Sequence, residues 1–147
     1  MNTSLHHVGL TVSNLERAVE FYCEVLGCVP LERACNEGPE VEAVTGYAGA
    51  RVNSADLRLP GGGVLELLEY THPSGNRLVQ ESCDPGHSHF AFSVGNIDST
   101  YERVLRMGGL PRSLPVRLTA PGSMWDGARI FYALDPDGRT LEFVQPP

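Results

Sequence analysis

The sequence predicts an α+β fold made of two β-α-β-β-β modules, and two repeated stretches lead to this prediction. Residues 7–16 and 89–98 match position by position as His, apolar, small, apolar, hydroxyl, Val, small, Asn, apolar and acid, at an offset of 82. Residues 65–68 and 141–144 match as Leu, Glu and two apolar residues, at an offset of 76. Because such self-similarity is the signature of a duplicated structural unit, each half of the chain is expected to hold the same order of elements.

Length and charge limit the class of protein. A chain of 147 residues is expected to form one domain, residues 1–147, with modules at about 4–71 and 86–145 that share a core. The net charge is −7 and no block of like charge stands out, which excludes nucleic acid as an expected partner. No apolar run approaches the roughly 20 residues needed to cross a bilayer, so no membrane association is expected.

The N-terminus and the cysteines point to a reducing compartment. No charged segment followed by an apolar one marks a signal peptide, so a cytoplasmic protein is expected. Cys23, Cys28, Cys35 and Cys83 form no C-x-x-C pair, and they are interpreted as buried small apolar groups. A cysteine nucleophile is the less favoured alternative.

The first module is predicted from residue 5 to residue 70. Residues 5–12 alternate as a strand does, with Val8, Leu10 and Val12 on the core side and His7 on the other. A capping box of Ser13 and Glu16 predicts the start of a helix with an apolar stripe that ends at Gly27. The remaining elements are a strand at 29–34, a loop with one helical turn at 35–49, and a hairpin of strands 52–59 and 64–70.

The second module repeats this order after a polar connection. The connection covers residues 71–86, and a strand at 87–94 and a helix at 96–107 follow it. Pro111 and Pro115 interrupt the next strand and favour an edge position. The remaining elements are a loop at 119–128 that holds Trp125, and strands 130–134 and 140–144 joined by an Asp-Pro-Asp-Gly turn.

Four residues are candidate metal ligands because the repeat duplicates them. His7 and His89 begin equivalent strands on the side away from the core, and Glu66 and Glu142 lie mid-strand between apolar neighbours, also facing away from it. Taken singly, a strand histidine is more often structural and a strand glutamate is more often solvated. A carboxylate among apolar side chains needs compensation, however, and two imidazoles with two carboxylates suit a divalent ion such as Zn, Ni, Co, Mn or Fe.

Three segments resemble the vicinal oxygen chelate (glyoxalase/bleomycin-resistance) superfamily. These are the stretch from His7 to Gly27, residues 86–94 from Gly86-His-Ser-His to Val94, and residues 135–144, which read Asp-Pro-Asp-Gly-Arg-Thr-Leu-Glu-Phe-Val. The resemblance covers nearly the whole chain. It implies a glyoxalase-like fold of paired modules whose mixed and antiparallel strands form a curled sheet around a metal. The ligand positions of the family fall on His7, Glu66, His89 and Glu142, the same four that the repeat selects.

The leading hypothesis for function is a metal-dependent epimerase or isomerase. Such an enzyme acts on a small-molecule substrate with vicinal oxygens, removing a proton from the carbon next to a carbonyl through a metal-stabilised enediolate. Glu142 or Glu66 is the expected catalytic base, with another acid returning the proton, while His7 and His89 remain metal ligands. Residues 65–70 and the Gly-x-x-His element at 86–89 resemble the methylmalonyl-CoA epimerase-like small epimerases more than glyoxalase I, but residues 135–138 differ from the His-Pro-Lys type of segment usual there.

Three alternatives stay open. One is a glyoxalase I-type lyase, which needs a glutathione-binding arginine cluster, whereas Arg51, Arg58 and Arg129 are scattered in the sequence. A ring-cleaving dioxygenase usually has two histidines and one carboxylate, and a non-catalytic binding or resistance protein of the same fold often lacks the ligand set. A homodimer is expected from the length of the relatives. The remaining candidates for substrate contact or for the site rim are His87, Glu40, Glu42 and Trp125.

Overall fold

Three helices and nine strands follow one another in two similar runs along the described chain. The computed structural model describes residues 2–79 and 81–147. In chain order the elements are β1 (Val8–Thr11), α1 (Leu15–Leu26), β2 (Val29–Glu37), α2 (Pro39–Thr45), β3 (Arg51–Arg58), β4 (Val64–His72), β5 (Phe90–Ser93), α3 (Ile97–Arg106), β6 (Leu110–Pro111), β7 (Val116–Arg117), β8 (Arg129–Leu134) and β9 (Thr140–Gln145). They fall into two compact units, one extending to Arg77 and the other beginning at Leu78. The prediction that both form one domain stays a prediction.

The first unit is a four-stranded mixed sheet with a helix on one face. The strand order is β1-β4-β3-β2, with β1 parallel to β4 and the other pairs antiparallel. Because side chains alternate along a strand, Leu65 and Leu67 of β4 face the helix and are buried, while Glu66 between them is on the other face. Helix α1 packs on β3 and β4 through Leu15, Ala18, Val19, Phe21, Tyr22 and Val25.

The second unit repeats this arrangement with a shorter edge. Its sheet has the order β5-β9-β8-β6, β5 is parallel to β9, and β7 pairs with β8 in place of a continuous edge strand. Leu141 and Phe143 of β9 are fully buried, and Glu142 between them again has the opposite orientation. Phe143 stacks on Phe131 of β8 with ring centroids 4.8 Å apart, and α3 packs on this layer through Ile97, Thr100 and Val104.

The helix caps differ from the predicted capping box. Asn14, and not Ser13, caps α1, because its side-chain oxygen accepts a hydrogen bond from the backbone N–H of Arg17 at 2.9 Å. Asn96 caps α3 in the same way through Ser99. Both helices thus start at the asparagine that the repeat places at matching positions, and Glu16 is free to contact the sheet.

The helix ends also differ between the two copies. Gly27 ends α1 in the left-handed conformation, at φ 72°. After α3 the left-handed residue is Gly108 at φ 80°, while Gly109, the expected counterpart of Gly27, lies against Val104 and the carbonyl of Leu134.

Several predicted boundaries and environments were wrong. The first and fifth strands are shorter than expected, so that His7 and His89 each lie one residue before a strand. The segment expected to be mostly loop contains the end of β2 and helix α2, whose seven residues begin with Pro39. Of the four free cysteines only Cys28 is buried, whereas Cys35 and Cys83 are exposed.

The described helices are all short. The longest, α1, has 12 residues, and no helix in residues 2–79 or 81–147 combines the length and apolar character that a membrane span requires.

Candidate metal centre

His7 and Glu66 form one half of the candidate site, within the first unit. Glu66 lies on β4 beside Gly9 of β1, the strand that His7 precedes. His7 Nε2 is 3.2 Å from Glu66 Oε2, and the side chains are 40% and 29% exposed. The other ring nitrogen of His7, Nδ1, is 2.8 Å from Nδ1 of His6, whose ring meets it edge-on. The contact with His6 thus occupies Nδ1, and Nε2 is turned toward the carboxylate of Glu66. In this orientation Nε2 and the carboxylate could bind the same metal ion.

His89 and Glu142 form the matching half, within the second unit. His89 Nε2 is 3.1 Å from Glu142 Oε2, and the side chains are 41% and 15% exposed. Glu142 is beside Ala91 in the parallel register of β5 and β9, as Glu66 is beside Gly9 in the first unit. A glycine and an alanine at these positions leave room next to each carboxylate, and a Cβ on Gly9 would be 3.6 Å from Glu66 Oε2.

The spacing within each pair fits two ligands of one first-row metal ion. Donor atoms about 2.0–2.2 Å from such an ion and roughly at right angles to each other are about 3 Å apart, close to the 3.2 and 3.1 Å found here. Within the described residues no group of three or more His, Cys, Asp or Glu side chains is arranged to hold a metal. Each unit by itself therefore contributes one imidazole and one carboxylate.

Further carboxylates extend the first half of the site across the sheet. In the strand register Glu66 lies beside Asp56 of β3, and Asp56 lies beside Glu32 of β2, so three acids form one row on the same face. Like charges directly opposite each other on neighbouring strands are destabilising. A bound cation would relieve this repulsion.

A tyrosine takes the corresponding place in the second half. Tyr132 of β8 lies beside Glu142, and its ring packs on the ring of His89 with centroids 5.3 Å apart at an angle of 36°. Burial raises the pKa of the Tyr132 phenol, and the charge of Glu142 raises it further. The hydroxyl therefore keeps its proton at neutral pH. The two pairs consist of the same candidate ligands, a histidine and a glutamate, but the residue beside the glutamate is Asp56 in the first unit and Tyr132 in the second.

Sequence reasoning missed Asp56 and Tyr132, although a signal for them was present. Asp56 precedes Glu66 by the same 10 residues that separate Tyr132 from Glu142. Because the connecting hairpins have equal length, the offset of 76 relates both the glutamates and their strand neighbours. The sequence alone does not give the strand register, and only the register shows that Asp56 lies beside Glu66 and Tyr132 beside Glu142.

The other sequence candidates lie outside the two pairs. Glu40 and Glu42 are exposed in the first turn of α2, and Trp125 is in a loop with 44% of its surface exposed. Nε2 of His87 is buried, without a hydrogen-bond partner among the described residues. A cysteine nucleophile gains no support at Cys28, since burial raises the pKa of its thiol to about 12, with Cys23 adding to the effect.

Two surface cavities lie apart from the candidate ligands. One, of about 320 Å³, is lined by residues around the start of α1, among them Asn14 and Arg33. The other, of about 330 Å³, is lined by residues around Arg117 and Gln145. Neither lining includes a member of the two pairs, which lie on accessible sheet faces.

Two of the arginines considered for anion binding, Arg51 and Arg129, are engaged in ion pairs. Arg51 is 3.3 Å from Glu37, and Arg129 makes two hydrogen bonds to Asp98 at 2.6 and 2.8 Å. Both guanidinium groups are thus already paired with carboxylates.

Comparison with known proteins identifies relatives over almost the whole length. Residues 4–143 match the model of the Glyoxalase/Bleomycin resistance protein/Dioxygenase superfamily. A 2-epi-5-epi-valiolone epimerase of an Actinomyces species is 32% identical over 149 residues, covering 98% of this chain and 80% of the relative. A lactoylglutathione lyase of Neisseria meningitidis serogroup A is 32% identical over 145 residues, covering 96% and 89%. The resemblance seen in the sequence is confirmed.

A solved structure confirms the fold. The crystal structure of a glyoxalase family protein from Bacillus cereus matches 99% of this chain and 95% of its own, with a TM-score of 0.85 at 21% sequence identity. At this identity the likeness shows the glyoxalase-like fold and no more. The predicted α+β class and its paired modules are therefore correct.

Proposed function

The chain belongs to the glyoxalase/bleomycin resistance protein/dioxygenase superfamily, and we propose that it is a metal-dependent epimerase or isomerase. It acts on the carbon next to a carbonyl in a small molecule with vicinal oxygens. The observation that carries this proposal is the matching histidine–glutamate pair in each unit. The relative named as an epimerase supports this reaction type.

The four residues of the two pairs hold one divalent ion in this proposal. Two imidazoles and two carboxylates suit Zn, Ni, Co, Mn or Fe and leave positions for the two oxygens of the substrate. The pairs come from one chain or from the two chains of a homodimer, and in both cases there is one ion for each chain. When bound, the ion acts as a Lewis acid that polarises the carbonyl and so makes the neighbouring C–H bond more acidic.

The glutamates move the proton. One carboxylate, Glu66 or Glu142, accepts it from the carbon, and another acid, which carries a proton, delivers that proton to the opposite face of the carbon and so inverts the centre. Asp56 lies beside Glu66 and offers a second carboxylate over which the proton can be shared. His7 and His89 do not take part in the transfer, because each presents one ring nitrogen to its glutamate as a ligand would.

Metal analysis together with proton exchange tests the proposal. The metal-loaded protein is expected to incorporate solvent deuterium at the α-carbon of a substrate drawn from α-hydroxy-ketones, α-hydroxy-acids and acyl thioesters. Glu66→Gln and Glu142→Gln should each lower the exchange rate by about 100-fold or more, the lower range for loss of a general base. Glu69→Gln is the matched control, because Glu69 belongs to the same strand but not to a histidine pair. Absence of exchange with every candidate class in metal-loaded protein would refute the proposal.

A glyoxalase I-type lyase is the second candidate, because relatives of equal identity are named lactoylglutathione lyases. The ion pairs of Arg51 and Arg129 count against a glutathione site. An assay with the hemithioacetal of glutathione and an α-ketoaldehyde decides between the candidates, since only a lyase of this type converts that adduct to a thioester.

A further inference from the structure

The cavity around Arg117 and Gln145 lies on the side of the second sheet that α3 covers. Arg117 of β7, Arg129 of β8 and Gln145 of β9 are neighbours in the strand register, so they share one face of the sheet. Gln145 follows Glu142 by an odd number of positions on β9, and alternation therefore turns these two side chains to opposite faces. The cavity, of about 330 Å³, is thus on the other face of the sheet from the candidate ligand Glu142.

Two contacts with the start of α3 hold polar groups of the lining in place. Gln145 Oε1 accepts a hydrogen bond from the backbone N–H of Ile97 at 2.9 Å, which leaves the NH₂ group of Gln145 as a donor. Both terminal nitrogens of Arg129 bind the carboxylate of Asp98, so the charge of Arg129 is already balanced. Arg129 and Gln145 therefore form a wall of the cavity that is fixed by the helix.

Arg117 and Asp126 carry the charges of the lining that these contacts leave unbalanced. Both line the cavity, yet within the described part of the chain no ion pair joins Arg117 to Asp126 or to another carboxylate. Arg117 Nη2 lies over Gly127, where a Cβ would be 3.3 Å from it. Asp126 Oδ1 accepts a hydrogen bond from the backbone N–H of Ala120 at 2.9 Å, and Oδ2 is left for a ligand. One positive and one negative charge thus face the cavity separately.

The first unit forms a cavity in the equivalent place, but the charges of its lining differ. The offset of 76 and the strand register relate the residues of the two linings, pairing Glu69 with Gln145, Asn53 with Arg129 and Cys35 with Arg117. The guanidinium in the first lining, that of Arg33, is bound by Glu16. The duplicated fold therefore supplies a cavity in both units, whereas an unbalanced cation opposite an anion belongs to the lining of the second.

We propose that the cavity of the second unit binds a free α-amino acid with an apolar side chain. Arg117 binds the carboxylate of the amino acid, with a further hydrogen bond from the NH₂ group of Gln145, and Asp126 binds the ammonium group. A simple anion would be repelled by Asp126 and a simple cation by Arg117, whereas a zwitterion satisfies both charges. Apolar surface for the side chain comes from the rest of the lining, which includes Leu118, Pro146 and Pro147.

Titration of the full chain with L-leucine, followed by two-dimensional ¹H–¹⁵N NMR, tests the proposal. Because Arg117 and Asp126 are exposed, their ion pairs with a ligand are weak, and a Kd of about 1–10 mM is expected. The backbone amide signals of Thr119 and Gly127 should shift as the cavity fills. Leucinamide lacks the carboxylate and 4-methylpentanoate lacks the ammonium group, so each should bind at least about fivefold more weakly than L-leucine.

Two substitutions test the assigned contacts. Arg117→Gln and Asp126→Asn should each weaken L-leucine binding by at least about fivefold, because each removes one charge of the pair. Asp126→Asn keeps an oxygen for the N–H of Ala120, so this variant retains the loop contact. Arg58→Gln is the matched control expected to bind as wild type, since Arg58 is an exposed arginine at the end of β3 and lines neither cavity.

The site is independent of the proposed function, and its test is separate from the exchange assay. The Kd for L-leucine should be the same after treatment with a chelator, because the lining shares no residue with the two histidine–glutamate pairs. Absence of a saturable shift with L-leucine up to about 50 mM would overturn the proposal. Equal affinity for L-leucine and both analogues, wild-type affinity in both cavity variants, or loss of binding on chelation would overturn it as well.

Discussion

At the residue scale, the candidate site depends on the small residues next to the glutamates. Gly9 and Ala91 hold equivalent positions, each beside its glutamate in a parallel register. Neither has a side chain long enough to fill the space over the carboxylate. The smaller of the two, Gly9, is not in the left-handed region. A glycine is therefore not required there by the backbone conformation, and its effect is to leave space beside Glu66.

Alanine substitutions at Gly9 and Gly109 test whether the space around each glycine is open or closely packed. A Cβ on Gly9 meets only ordinary contacts, at 3.6 Å from Glu66 Oε2 and 3.7 Å from Leu68 Cδ1. Gly9→Ala is therefore expected to raise the free energy of unfolding by about 0.5 kcal/mol, because alanine loses less backbone entropy on folding. A Cβ on Gly109 would be 2.7 Å from Val104 Cγ1 and 3.1 Å from the carbonyl oxygens of Val104 and Leu134.

Gly109→Ala should therefore lower the free energy of unfolding by about 1–3 kcal/mol, the range for overpacking. Urea unfolding of the two variants beside wild type checks both values. Equal stability of the two variants would contradict the assignment of these glycines to open and packed surroundings.

The residues of the candidate site were only partly predictable from the sequence. His7, Glu66, His89 and Glu142 could be selected because period-2 alternation fixes the face of each side chain, and the repeat duplicates the pattern. Asp56 and Tyr132 were not selected, because their equal spacing from the two glutamates marks them as equivalent but does not show which residues of β3 and β8 pair with β4 and β9. Pairing is a property of two strands together, and neither strand alone determines it.

At the element scale, both units fasten the start of the helix to the sheet with an ion pair. Glu16 of α1 binds both terminal nitrogens of Arg33 on β2, and Asp98 of α3 binds both terminal nitrogens of Arg129 on β8. The acids are equivalent in the repeat, but the arginines come from different strands. An acid in the first turn also interacts favourably with the helix dipole.

This ion pair gives the stability a predictable dependence on pH. The Arg129 hydrogen bonds lower the pKa of the Asp98 carboxyl in the folded state, against about 3.9 in an unfolded chain. A lowered folded pKa means that the folded state binds fewer protons, so the stabilisation is present above about pH 4 and is lost as pH falls through the folded pKa. Asp98→Asn should thus lower the melting temperature at pH 7, and this deficit should shrink as the pH approaches 3.

Calorimetric scans of wild type and variant between pH 3 and pH 7 measure the deficit. Asp126→Asn serves as the control, since its carboxylate accepts a hydrogen bond from the backbone N–H of Ala120 and thus has a neutral partner. A deficit that stays constant over this pH range would show that the effect of Asp98→Asn does not arise from the charge.

The elements themselves were predicted best where periodicity is strong. The stripe of α1 and the hairpin of β3 and β4 follow directly from the spacing of apolar residues. Helix α2 was predicted only as one helical turn, because it has seven residues and none of them is buried. A short helix with no apolar stripe leaves only its capping residues as a signal, here Pro39 at the start and Gly46 at the end.

At the scale of the whole molecule, each of the two units presents only half of the proposed ligand set. One imidazole and one carboxylate give two donors, whereas a first-row divalent ion takes four or more ligands. In the proposed site, two such pairs supply four donors and leave room for substrate. The fold class and the proposed ligand set both follow from what the repeat duplicates, whereas Asp56 and Tyr132 are positions at which the two units differ.

Binding of the proposed ion should consequently raise the stability of the folded protein against unfolding. An ion that binds only the folded state and is present at a concentration of about 100 times its Kd adds about 2.7 kcal/mol to the free energy of unfolding. For a chain of this size, each kcal/mol is expected to raise Tm by about 2–4 °C. Removal of the ion with a chelator should therefore lower Tm by about 5–10 °C, and its return should restore it. His7→Ala and His89→Ala should each abolish nearly all of this increment, because either change leaves the ion with too few ligands.

The double variant with His7→Ala and His89→Ala should lose no more of the metal-dependent Tm increment than either single variant, because each single change already prevents binding of the one ion. His72→Ala is the control, because His72 ends β4 and belongs to neither pair. Differential scanning calorimetry with and without metal, together with elemental analysis for one ion per chain, measures the effect. Single variants that each keep about half of the increment, with two ions per chain in the wild type, would mean that the pairs bind metal independently. The two units would then hold separate sites, and the four-ligand centre would have to be abandoned.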